Sequence, residues 1–172
     1  TIKGSVLGKS SNSALSDVSV SYAESGTTIV NTTTDSSGDF SQTLRLGTYT
    51  LTYSKSGYLD EIQSVTLAAD NQTLVASTLK MLSDNCTSGT ISGTIKDAVN
   101  NSPVTGVSLS VRRGVNVTSG TIVKTDSTSN TGTYSLNSMS AGWYTVETSK
   151  SGYITSTLNV YACGDNSGEI AQ

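Results

Sequence analysis

Apolar and polar residues alternate along most of this chain, and the alternation has the period of two that belongs to half-buried β-strands. In Gly47-Thr48-Tyr49-Thr50-Leu51, for example, it sends Tyr49 and Leu51 to one face and the threonines to the other. The pattern predicts strands near residues 2 to 7, 17 to 23, 27 to 34, 39 to 44, 48 to 54, 62 to 68 and 73 to 80. A second series follows near 90 to 96, 105 to 112, 120 to 126, 132 to 137, 142 to 149 and 154 to 161, with a last one at 168 to 171. Turn residues punctuate the series about every eight to twelve positions, which indicates β-sandwiches. No stretch has the 3.6-residue period of an amphipathic helix.

The two series are copies of one another. Ile2-Lys3-Gly4-Ser5-Val6 lines up with Ile91-Ser92-Gly93-Thr94-Ile95, and Asp17-Val18-Ser19-Val20 with Gly106-Val107-Ser108-Leu109. Thr34-Asp35 is aligned with Thr125-Asp126, and Gly38-Asp39-Phe40-Ser41 with Gly132-Thr133-Tyr134-Ser135. Gly47-Thr48-Tyr49-Thr50-Leu51 answers to Gly142-Trp143-Tyr144-Thr145-Val146, and Lys55-Ser56-Gly57-Tyr58 to Lys150-Ser151-Gly152-Tyr153. Segments keep their order while insertions fall between them, as in two homologous domains. The expected division is residues 1–82 and 88–172, with a short link around Ser83 to Ser88. That link has neither Gly nor Pro, so it predicts a limited hinge.

Composition narrows the function classes. Ser and Thr supply 58 of 172 residues, whereas Asp, Glu, Lys and Arg make up 13%. A hydroxyl-clad surface of this kind suits an extracellular or cell-surface β-protein. A net charge of -3 with ten scattered basic residues does not supply the clustered cations that bind nucleic acid. No apolar run is long enough for a membrane-spanning helix. The chain has no histidine, which removes the commonest general base and the usual Ser-His-Asp and Cys-His arrangements.

The ordered motifs resemble those of carboxypeptidase regulatory-like domains, which are similar to transthyretin and to B-type repeats of collagen-binding surface adhesins. The likeness rests on a strand with an internal glycine, a small-apolar strand, T-D-x-x-G-x-F/Y, G-x-Y-x-L/V and K-x-G-Y. The second copy departs from it in the longer stretch between Asp126 and Gly132. The resemblance implies two tandem seven-stranded, prealbumin-like (Ig-like) sandwiches. It implies a non-catalytic structural, adhesive or spacer module of a larger secreted or surface protein, with neighbouring domains of the same polypeptide and extracellular glycans or proteins as partners. The alternative is a carbohydrate-binding accessory module attached to an extracellular hydrolase.

Several residues carry site hypotheses. Cys86 and Cys163 are expected to form a disulfide tying the start of the second domain to its far end; two free thiols are the alternative. Trp143 alternates with Thr145 and Glu147, which places it on the solvent face, where an indole stacks on a sugar ring. Asp35 and Asp39, with Asp165, are candidate calcium ligands, although none has EF-hand spacing and an Asp beside Gly is commonly a turn former. No other cofactor is expected. B-type repeats often carry a Lys to Asn isopeptide bond, but Lys3 is expected to face solvent, where its amine stays charged. Arg112 and Arg113 are expected as edge charges that discourage strand addition.

Overall fold

The computed structural model describes residues 1–164 and 168–169. They are all strand, turn and loop, organised as two compact units, Thr1–Asn85 and Cys86–Gln172. Asp165 and residues 170–171 of the expected last strand lie outside the described residues.

Unit 1 has eight strands: β1 (Ile2–Gly8), β2 (Ser19–Glu24), β3 (Thr27–Thr33), β4 (Asp39–Gln42), β5 (Gly47–Ser54), β6 (Glu61–Leu67), β7 (Leu74–Val75) and β8 (Leu79–Met81). The strand expected at 73 to 80 is therefore two short pieces. One sheet runs β3-β2-β5-β6, all antiparallel. In the other, β1 pairs antiparallel with β4 on one edge and parallel with β7 and then β8 on the other. Alternation puts Ile2 and Val6 of β1, Tyr22 of β2, Phe40 of β4, Tyr49, Leu51 and Tyr53 of β5, and Leu79 and Met81 of β8 into the buried layer between the sheets. The rings of Tyr22, Phe40 and Tyr53 meet edge to face, with Phe40 5.7 Å from Tyr53.

Unit 2 repeats the plan with β9 (Gly89–Thr94), β10 (Ser108–Arg113), β11 (Lys124–Ser127), β12 (Thr133–Met139), β13 (Gly142–Ser149), β14 (Ser156–Ala162) and β15 (Gly168–Glu169). Its larger sheet runs β11-β10-β13-β14-β15, and β12 pairs with β9 in the smaller one. Ile91, Leu109, Val111, Leu136, Val146 and Val160 form the centre of its core. Here β15 lies antiparallel on β14, and among the described residues no strand pairs in parallel with β9.

Two glycines explain their own repetition. Gly4 pairs with Phe40 and Gly93 with Tyr134. A Cβ at Gly4 would lie 2.5 Å from the Phe40 ring, and one at Gly93 would lie 2.7 Å from the Tyr134 hydroxyl oxygen. The large ring of β4 or β12 lies over the glycine of the facing strand, so the two positions trade volume.

Candidate functional site

The recurring polar side chains are used to close the sandwiches. Thr34, buried directly after β3, donates its hydroxyl to the Leu15 carbonyl at 2.6 Å and accepts from the Val18 amide at 2.9 Å. In unit 2 Thr128 does the same, donating to the Val104 carbonyl at 2.7 Å and accepting from the Val107 amide at 2.9 Å. The structural counterpart of Thr34 is thus Thr128, and the alignment of Thr34-Asp35 with Thr125-Asp126 is corrected. The turns agree: Gly38 donates its amide to the Asp35 carbonyl, and Gly132 to the Ser129 carbonyl. Thr128-Ser129-Asn130-Thr131-Gly132 has the same spacing as Thr34-Asp35-Ser36-Ser37-Gly38. The extra length of unit 2 lies upstream, in the loop between β10 and β11. A constant spacing from threonine to glycine was the signal that sequence reasoning missed.

A second duplicated closure joins a tyrosine to the carbonyl four residues before it. The Tyr49 hydroxyl donates to Arg45 at 2.8 Å, and that of Tyr144 to Ser140 at 2.7 Å. These bonds pin the turn that leads into β5 and β13. Elsewhere, burial pushes the phenol pKa values of Tyr22 and Tyr53 upward, so both rings stay neutral in the core.

The candidate site residues fall as follows. Cys86 and Cys163 form a disulfide, with Cα atoms 4.6 Å apart, and Gly164 donates its amide to the Thr87 carbonyl beside it. Together these fasten the approach to β9 to the end of β14. The first unit has no cysteine. There the corresponding fastening is noncovalent, through the Thr1 backbone nitrogen on the Gln72 carbonyl and the Leu74 amide on the Thr1 carbonyl.

Trp143 is not on the solvent face: it is 2% exposed, 5.2 Å from the Tyr161 ring centre to centre. Alternation placed it correctly on the outer face of β13, opposite Tyr144 and Val146. That face, however, is covered by the loop between β10 and β11, where unit 1 has a tight hairpin. Val115 of that loop is buried, Gly114 donates its amide to the Trp143 carbonyl, and the Thr145 hydroxyl donates to the Gly114 carbonyl while accepting from the Val117 amide. A ring enclosed in this way offers no platform to a sugar.

Asp35 and Asp39 do adjoin one another, but the Asp35 carboxylate already accepts from the amides of Ser37 and Asp39 at 2.8 and 3.0 Å, and Asp39 accepts from the Ser5 hydroxyl. This is the geometry of an Asx turn. Among the described residues no group of three or more His, Cys, Asp or Glu converges. Lys3 is exposed. Arg112 lies 3.7 Å from Glu147, and Arg113 donates to the Ala141 carbonyl with its guanidinium over the Tyr144 ring. Both arginines therefore pack along the sheet and do not project from an edge.

Two stacked, largely antiparallel sheets in each unit, closed by the same threonine and tyrosine bonds, define a tandem Ig-like β-sandwich protein. The carboxypeptidase regulatory-like domain family matches residues 1–80 and again 90–168, so the chain belongs to that family, twice over. No curated protein matches it. Among solved structures it is similar to a streptococcal ancillary pilin, at 15% identity and a TM-score of 0.38, covering 99% of this chain and 62% of that one. The Bacillus anthracis TIE protein is similar at 18% identity and a TM-score of 0.40, over 99% and 33% of the two chains. The shaft pilin SpaA of Lactobacillus rhamnosus GG is similar at 12% identity and a TM-score of 0.37, over 99% and 98%. The chain thus spans less than two thirds of the first two.

Proposed function

We propose that this chain is a non-catalytic structural module of an extracellular or surface protein, acting as a spacer or adhesive segment beside other domains. The observation that carries the reading is the use made of its distinctive side chains. The repeated Thr, Tyr and Gly residues are spent on closing turns and seating rings, the single Trp is packed, and the two cysteines staple one unit. A protein built for chemistry gathers a nucleophile, a base and an oxyanion donor around one concavity. Here the chain contains no histidine, and the carboxylates of the Asp35 to Asp39 turn serve their own backbone. The disulfide and the hydroxyl-rich, weakly charged surface support an oxidising, extracellular setting. No helix among the described residues is long and apolar enough to cross a membrane.

The test uses the purified chain twice. Incubated with peptide, ester and glycoside substrates it is expected to give no turnover, and turnover that follows the protein through purification would overturn the non-catalytic reading. Immobilised and exposed to arrays of extracellular glycans and matrix proteins, it separates the two roles: saturable binding marks an adhesive segment, and none marks a spacer.

A further inference from the structure

Unit 2 seals a corner that unit 1 leaves open. On one side of each sandwich the end strands of the two sheets lie next to one another, β3 beside β4 in unit 1 and β11 beside β12 in unit 2. In unit 2 the Lys124 ammonium donates to the Asn137 carbonyl at 3.1 Å, and the Asp126 carboxylate accepts from the Ser135 amide at 3.1 Å. Two side chains of β11 thus occupy backbone groups of β12. Both stand on the inward face, Lys124 opposite Val111 and Asp126 opposite Leu109. Charged side chains turned inward on an edge strand keep other strands from adding to it.

Unit 1 has neither charge at the matching positions, which the register identifies. Val30 stands opposite Tyr22 as Lys124 does opposite Val111, and Thr32 opposite Val20 as Asp126 does opposite Leu109. Val30 offers no polar atom to β4, and Thr32 offers no charge. The whole of β3, Thr27-Thr28-Ile29-Val30-Asn31-Thr32-Thr33, is free of charged residues and of proline. It ends its sheet among the described residues, and Ile29 is 43% exposed. A bulge at Ile29 interrupts the pairing with β2, so the regular edge runs from Ile29 to Thr33.

We infer that β3 is an association edge whose occupant is β3 of a second copy of this chain, paired antiparallel about Asn31. An edge strand takes up another strand through its outward amides and carbonyls, and a two-fold axis through the sheet makes one such edge the complement of itself. This register sets Asn31 opposite its own copy, Val30 opposite Thr32 on the inward face and Ile29 opposite Thr33 on the outward face. The last two are pairs of β-branched side chains, which suit cross-strand contact. Charge selects the copy and its direction. At the Thr27 end of β3, Glu24 pairs with Arg45, whose side chain is 76% exposed. Beyond the Thr33 end lies the exposed Asp35 carboxylate, held by the amides of its own turn. Antiparallel pairing brings the Arg45 end of each copy to the Asp35 end of the other, twice per dimer, whereas parallel pairing brings like ends together. Unit 2 is excluded from the same association by Lys124 and Asp126.

So short an edge gives a small interface and a weak dimer, with a dissociation constant on the order of 0.1 mM. Sedimentation velocity of the whole chain from about 10 μM to about 1 mM measures it, and hydrogen exchange at the two ends of that range locates it. The expected result is a sedimentation coefficient that rises with concentration, with added protection in residues 27–33 and none in 124–127. Val30→Lys/Thr32→Asp gives unit 1 the pair with which unit 2 folds and is expected to abolish the dimer. Lys124→Val/Asp126→Thr is expected to open a second edge and produce larger oligomers. Arg45→Gln should weaken the dimer about two- to tenfold, as should raising the salt to about 0.5 M. A chain that is monomeric at about 1 mM overturns the inference. So does protection confined to residues outside 27–33, or a dimer that persists in Val30→Lys/Thr32→Asp. If that double variant loses the unit 1 melting transition, the exchange map of the parent and the effect of Arg45→Gln decide the matter, and a dimer indifferent to Arg45→Gln then overturns the inference. A chain that stays monomeric while an uncharged Thr/Val heptapeptide protects β3 has a foreign strand as its occupant, which overturns the assignment to a second copy. None of these measurements involves turnover, so the outcome is separate from that of the non-catalytic reading.

Discussion

Removing the Cys86–Cys163 bridge should destabilise one half of the molecule and leave the other as an internal reference. The bond closes a loop with a sequence separation of 77, nearly the whole of unit 2. In the chain-entropy treatment a loop of that size restricts the unfolded state by about 4.5 kcal/mol at 25 °C. A small domain has only about 5–15 kcal/mol of total stability, so the loss is a large share. At about 4–8 °C per kcal/mol for a domain of this size, the unit 2 transition should fall by on the order of 20–35 °C. Differential scanning calorimetry of the parent and of Cys86→Ser/Cys163→Ser measures both units in one trace. Unit 1 has no cysteine and should melt where it did before. The lone Trp143 reports unit 2 by fluorescence and assigns the transition that moves. A shift under about 1 kcal/mol in unit 2, or an equal shift in both units, would refute the argument that this bridge stabilises unit 2 by restricting its unfolded chain.

Further predictions concern the closures and the buried indole. Thr34→Val should lower unit 1 stability by about 2–3 kcal/mol, because it leaves the Val18 amide and Leu15 carbonyl without their buried partner; Thr128→Val should do the same to unit 2, both read by chemical denaturation. Gly38→Ala should cost more than Gly57→Ala: both have positive φ, but a Cβ at Gly38 would lie 2.5 Å from the Val6 carbonyl oxygen whereas one at Gly57 meets nothing within 4 Å. Equal losses in the two variants would count against the packing argument. Trp143→Ala should destabilise unit 2 by about 3–5 kcal/mol, and in the parent Trp143 emission should be blue-shifted and poorly quenched by iodide. The Val99 and Asn100 amides, with a lesser contribution from the Tyr153 hydroxyl, hold the Asp97 carboxyl below its ordinary value of 3.8. Its contribution is therefore present above that value and lost as pH falls through the lowered one, so Asp97→Asn should flatten the acid limb of the unit 2 stability profile.

The strand framework was legible because alternation is a local signal. Tyr49, Leu51 and Tyr53 lie in the core as their spacing requires. Strand ends were less legible: β2 begins at Ser19 because Asp17 has a φ of 53° and donates its amide to the Thr34 carbonyl, a turn that alternation does not encode. Trp143 shows the limit most clearly. Period two fixes which face of a strand a residue takes, but it does not say what else covers that face. The cover is a loop from a different part of unit 2, whose length stood in the sequence and whose destination did not. The threonine closures were hidden for a related reason, since a buried hydroxyl bonded to two backbone groups is indistinguishable by residue type from the surface threonines around it.

The bridge also sets how the two halves would share a load. Tension arriving at Cys86 can pass straight to Cys163 through one covalent link, bypassing the residues between them, so about 260 Å of contour stays in reserve at roughly 3.4 Å per residue. Unit 1, which has no covalent cross-link, would yield its length first. The same polypeptide thus contains an extensible link followed by an inextensible one, and reduction would convert the second into the first.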